Sequence, residues 1–173
     1  MGSLRHALVA GALALGCAGA PPPPAPRSAA DEAVARVTAV HGGAGPFVVA
    51  GYRMGERALT ELSLPRGSFD VDVEHTSPAE VQFSCIADGV AAATGASVGR
   101  LSLRRVDATD GSTHTEVRDR RSGRAVTLRL TEGFLRRFRD VPRPALGEAG
   151  RAVLGLRDDE IFEVVGEGRR VTP

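Results

Sequence analysis

Two glycines, Gly51 and Gly55, stand four residues apart inside the run Pro46 to Leu62. The apolar members of that run, Phe47, Val48, Ala50, Met54, Ala58, Leu59 and Leu62, recur at helical spacing. Glycine in a helix interior costs about 1 kcal/mol relative to alanine, so a pair on one face implies close approach of something to that face. Two things fit: the backbone of a crossing helix, glycine's ordinary use in packing, or a ligand. The crossing is the simpler reading. Gly45-Pro46 supplies the helix start, because proline at the first helical position gives up only a donor that has no partner there.

Covalent staples are scarce, since the chain holds two cysteines, Cys17 and Cys85. Cys17 follows Arg5, His6 and an apolar stretch, Ala7 to Leu15, that is too short to span a bilayer and has the pattern of an export signal. Cleavage after Ala14-Leu15-Gly16 leaves Cys17 first, for lipidation. The rival cleavage, after Ala18-Gly19-Ala20, puts Pro21 in a poorly tolerated place. The expectation is a signal peptide over residues 1–16, then a lipid-anchor cysteine with a tether over 17–30, extended by Pro21 to Pro24 and Pro26. A single domain follows over residues 31–173. Such a protein is exported and held on the periplasmic side of a membrane through Cys17, or is free in the periplasm or secreted if cleavage falls elsewhere. With Cys17 lipidated, Cys85 has no partner for an intrachain disulfide, and the domain must be held by its core.

Charge narrows the partners. All 22 basic residues are arginine, and removing residues 1–16 takes away Arg5, leaving 21 basic against 21 acidic residues. A neutral mature chain presents no broad field for nucleic acid, and an aromatic content of 4% gives no platform for stacking bases. The arginines 118, 120, 121 and 124 flank Ser122-Gly123 and read as a solvated hairpin tip rather than an anion site. Phosphate loops, dinucleotide fingerprints and the Gly-x-Ser-x-Gly elbow are absent from the sequence.

The remaining elements follow from periodicity. A helix is expected from Asp31 to Ala39 and another between Ser77 and Thr94, ended by Gly95. Phe69 to His75 alternates Phe69, Val71 and Val73 against Asp70, Asp72 and Glu74, as a strand with one buried face does. Strands are also expected over Leu101 to Val106, His114 to Arg118 and Ala125 to Leu130, and helices near Glu132 to Arg139 and Arg143 to Leu154. A short closing segment covers Asp158 to Val165. Strands beside helices in irregular order indicate an α+β fold, with a mixed or antiparallel sheet packed against helices. His75 at a strand end and His114 in a polar turn read as surface groups.

Two glycine-studded segments carry the residues capable of chemistry. The first is His41-Gly42-Gly43-Ala44-Gly45-Pro46, leading to Gly51 and Gly55; the second is Ser84-Cys85-Ile86-Ala87-Asp88-Gly89, followed by Thr94-Gly95 and Gly99. This order resembles the formylmethanofuran dehydrogenase E-subunit family, from about His41 to Val165. The family takes its name from a component associated with a molybdenum or tungsten enzyme, and many proteins with this domain have no established activity. The resemblance implies the α+β core, a ligand or metal pocket at which His41 meets Cys85 and Asp88, and a homodimer. In many members the first segment reads His-Gly-His-x-Cys-Pro, so Gly43 stands where a histidine would be and Gly45 where a cysteine would be. Ala96 replaces a cysteine often found after the Thr-Gly pair.

Three chemistries fit the residues that remain. His41 and Cys85 suit zinc or another soft divalent metal, with Asp88 or His75 completing an open site. Cys85 could instead act as a nucleophile, with His41 as base and Asp88 orienting it. That depends on where the helix starts. If Ser84 is the cap, Cys85 lies in the first turn and its thiolate is favoured, and the resemblance prefers this start. If the capping box Ser77-Pro78-Ala79-Glu80 starts it, Cys85 is mid-helix and a small buried hydrophobe. The third is a tethered accessory or binding module whose glycine-lined helix start, with Gly42, Gly43, Gly45 and Gly51 as candidate lining, takes a small anionic ligand. This is the leading reading, because losing polar positions to glycine and alanine fits a relaxed ancestral chemistry.

Overall fold

The computed structural model describes residues 28–169. The expected export signal, Cys17 and most of the expected tether lie outside them. Helix α1 (Ala29–His41) is capped by the Ser28 hydroxyl and ends where Gly42 takes a φ of 86°. Helix α2 (Pro46–Leu62) has the expected bounds, with proline in its first turn. Strand β1 (Val71–Ser77), helix α3 (Val81–Thr94) and strand β2 (Leu103–Asp107) form a crossover unit, which is why β1 and β2 pair in parallel. Strands β3 (His114–Asp119) and β4 (Arg124–Leu130) make the hairpin expected around Ser122-Gly123. Helices α4 (Glu132–Phe138), α5 (Leu146–Leu154) and α6 (Asp158–Ile161) precede a last strand, β5 (Phe162–Arg169). The sheet runs β2-β1-β3-β4-β5, parallel only at β1–β2, so the fold is α+β with a mixed sheet.

The core lies between the sheet and helices α2 and α3. Val71 and Val73 of β1, Val117 of β3, and Val126, Leu128 and Leu130 of β4 meet Met54 of α2 and Ile86 and Val90 of α3. Helices α2 and α3 touch backbone to backbone. A Cβ on Gly51 would lie 2.2 Å from the Ile86 carbonyl oxygen, and one on Gly55 2.5 Å from the Ala93 Cβ. The glycine pair therefore admits a helix crossing.

Four expectations are corrected. Helix α3 starts at neither serine: Ser77 is the buried last residue of β1, Ser84 donates back to the Val81 carbonyl, and Glu80 is the N-cap without a side-chain bond. Phe69 lies outside the strand and is exposed, with the Arg100 guanidinium over its ring at 4.1 Å. His75 is not a surface group. The alternation that buries Val71 and Val73 continues through His75 to Ser77, so the imidazole is fully buried. It is bonded to Thr115 Oγ1 (2.9 Å) and the Phe83 carbonyl (3.0 Å). The strand expected from His114 is formed as β3, and His114, its first residue, is half-buried rather than a surface group in a turn.

Candidate functional site

The site is assembled around the break between α1 and α2. His41 is the last residue of α1, and Gly42 to Gly45 turn the chain into α2. Helix α5 presses on this loop: a Cβ on Gly150 would lie 1.8 Å from the Ala44 carbonyl oxygen. From the other side, α3 presents Cys85 and Asp88, three residues apart on one helical face. Its approach to α2 is possible because Gly89 carries no side chain.

His41 Nδ1 and Asp88 Oδ2 are 2.8 Å apart. An ionised carboxylate only accepts, so Nδ1 donates the proton and Nε2 is left for other work. Both side chains reach solvent, at 28% and 45% exposure. Cys85 behaves differently. Its thiol donates to the Gln82 carbonyl at 3.3 Å and is not hydrogen-bonded to His41. Burial pushes its pKa up to about 12, and the Asp88 carboxylate acts in the same direction. The helix starting at Val81 places Cys85 in the second turn, so the first-turn thiolate is not formed.

Two cavities flank the Val81 to Cys85 turn and share His41 and Cys85. The smaller, about 360 Å³, adds Asp88 and Arg105. The larger, about 730 Å³, opens over the α2 start, with Gly43, Gly45 and Gln82 on its wall. Phe47, Phe138, Val141 and Leu146 give it an apolar side, and Arg139 and Arg143 border it. Among the described residues, neither guanidinium has a hydrogen-bond or carboxylate partner; that of Arg139 lies 5.7 Å from the Phe83 ring centroid. Gln82 holds this border by donating to the Arg139 carbonyl at 2.7 Å.

The fold thus brings His41, Cys85 and Asp88 together and puts Gly43 and Gly45 on the cavity wall. Gly42 is an exposed cap and Gly51 is buried beneath α3, so neither lines the cavity. His75 has both nitrogens engaged in the core, so it completes no site with His41. Among the described residues, no three His, Cys, Asp or Glu side chains converge as a metal would need. Two donors with one carboxylate already bonded to His41 do not fit a closed four-ligand zinc centre. The acidic face of β1 is paired instead, Asp72 with Arg104 and Arg120, and Glu74 with Arg104. Arg139 and Arg143 belong to no sequence motif and lie far along the chain from both glycine segments. Their one local signal is the prolines 142 and 144 that fix the backbone around them.

The family model FmdE, molybdenum formylmethanofuran dehydrogenase operon, matches residues 40–163. A crystal structure of a tungsten formylmethanofuran dehydrogenase FmdE-like protein from Syntrophus aciditrophicus is similar in fold, at 20% identity and a TM-score of 0.56. The likeness covers 83% of this chain and 73% of that one. No curated protein matches the chain.

Proposed function

This chain belongs to the FmdE family, and we propose that it is an exported, membrane-tethered accessory module that binds a small anionic ligand. The observation that carries the reading is the larger cavity: glycine stands at positions 43 and 45, and two guanidiniums with no hydrogen-bond or carboxylate partner among the described residues border the opening. The α2 N-terminus adds backbone donors, because its cap, Gly45, offers no side chain to occupy them. Tethering rests on the sequence of residues 1–30, with Cys17 as the lipid-bearing residue and the proline run as spacer.

The thiol-enzyme reading loses support from the Cys85 environment, in which the neutral thiol is favoured and the histidine is turned to Asp88. The metal reading keeps one supporting observation. A carboxylate on one imidazole nitrogen is the arrangement that orients histidine ligands, and His41 has it. With two first ligands the site would hold a metal weakly.

Two measurements test the proposal. The full chain expressed in a bacterium should sediment with membranes, and Cys17→Ser should release it. Its melting temperature should rise with small anions beyond the effect of chloride, as a ligand bound to the native state alone requires, and Arg139→Ala with Arg143→Ala should remove the rise. Turnover of a substrate, abolished by changing His41 or Cys85, would overturn the non-catalytic reading.

A further inference from the structure

The larger cavity is divided by chemistry as well as shape. A Cβ on Gly43 would meet nothing within 4 Å, and one on Gly45 would meet only Leu146, at 3.8 Å. The space is therefore what side chains at these two positions would otherwise occupy. One side of it is hydrocarbon, from aromatic and branched side chains on α2, α4, the segment after α4, and α5. The border is cationic, and among the described residues no carboxylate or carbonyl pairs with it, although most other described arginines have such partners. Arg139 and Arg143 are exposed, so water solvates their guanidiniums when the cavity is empty; a compact hydrated anion would nonetheless leave the hydrocarbon wall unused, and a neutral hydrocarbon would leave the two charges unused. Volumes of about 300–1,000 Å³ with an apolar lining and few placed polar groups are the ordinary dimensions of small-molecule sites.

We infer that the ligand is an organic carboxylate with an apolar body, its anionic end at Arg139 and Arg143 and its hydrocarbon end against Phe47, Phe138, Val141 and Leu146. The inference rests on the anion-binding reading and narrows it to one chemical class. Arginine suits the anionic end because its planar fork matches a carboxylate. The hydrocarbon wall supplies selectivity, since each buried methylene tightens binding by a roughly constant factor.

The test is calorimetric titration of the purified full chain with acetate, butanoate, hexanoate, octanoate and inorganic phosphate. Affinity should rise along the carboxylate series by up to about fourfold per methylene. Arg139→Ala and Arg143→Ala should each weaken octanoate about tenfold. Gly43→Leu, whose side chain enters open space without disturbing the core, should abolish octanoate binding. Acetate or phosphate binding as tightly as octanoate would overturn the inference and leave the anion reading standing. Octanoate binding indifferent to all three substitutions would place the ligand elsewhere and overturn the inference. If no anion binds, both fall.

Discussion

Gly89 of α3 lies against Val48 of α2 so closely that a Cβ at position 89 would sit 1.9 Å from the Val48 carbonyl oxygen. The same turn of α3 carries Asp88, and Cys85 is one turn before it. The glycine that closes the Asp-Gly motif therefore sets the distance between α3 and the α1–α2 break, and with it the contact of Asp88 with His41.

Gly89→Ala should destabilise the domain by about 3 kcal/mol, because the methyl meets backbone that cannot rotate away. The gain in helix propensity, about 1 kcal/mol, is too small to offset this. Gly43→Ala, in open space, should change stability by less than about 0.5 kcal/mol. Urea unfolding of the two variants beside the parent checks both, and equal stabilities would contradict the crossing.

Acid should weaken the fold through His75. Burial pushes its pKa down to about 4 from an ordinary 6.5. The unfolded chain therefore takes up a proton below about pH 6.5 that the folded chain refuses until about pH 4, and stability falls as pH drops through that window. Above it both states are neutral at this residue and the effect vanishes. The loss over the window is about 3 kcal/mol. Unfolding midpoints measured at several pH values should show this slope in the parent and a flatter one in His75→Gln, whose amide can keep a bond to the Phe83 carbonyl. An unchanged slope in the variant would assign the acid sensitivity to other groups.

Cys85 should be slow to alkylate. With its pKa pushed up to about 12, the thiolate fraction near neutral pH is about a thousandfold below that of a free thiol. Iodoacetamide should label the native chain correspondingly slowly, at a rate that climbs with pH until the fold is lost, and should label the urea-unfolded chain at the free-thiol rate. Labelling of the native chain as fast as the unfolded one would restore the nucleophile reading.

Legibility in the sequence follows the range of the interactions. Helix α2 and its glycine pair are readable because apolar spacing and a Gly-Pro start are local signals, and the crossing partner leaves its mark as the absence of side chains. The start of α3 is not readable: Ser77 to Glu80 has the spelling of a capping box, but the burial of Ser77 in β1 overrides it. The burial of His75 is written in the alternation itself, which runs two residues past the imidazole and points it inward; a strand ended at His75 hides this. The family motif pairs His41 with Cys85 and Asp88, whereas nothing local announces the cationic border. Arg139 and Arg143 reach the cavity only through the packing of the α4–α5 segment over the start of α2.

The most direct measurement is metal content by elemental analysis of the purified full chain, of its Cys85→Ser variant, and of the Gly43→His, Gly45→Cys double variant. The introduced imidazole and thiol enter space that is open at position 43 and bounded at 45 only by Leu146, and with His41 and Cys85 they make a four-ligand set. The account predicts far less than one metal per chain in both the parent and Cys85→Ser, and near-stoichiometric zinc in the double variant. One metal per parent chain, lost in Cys85→Ser, would contradict it and make His41 and Cys85 ligands of a working metal site.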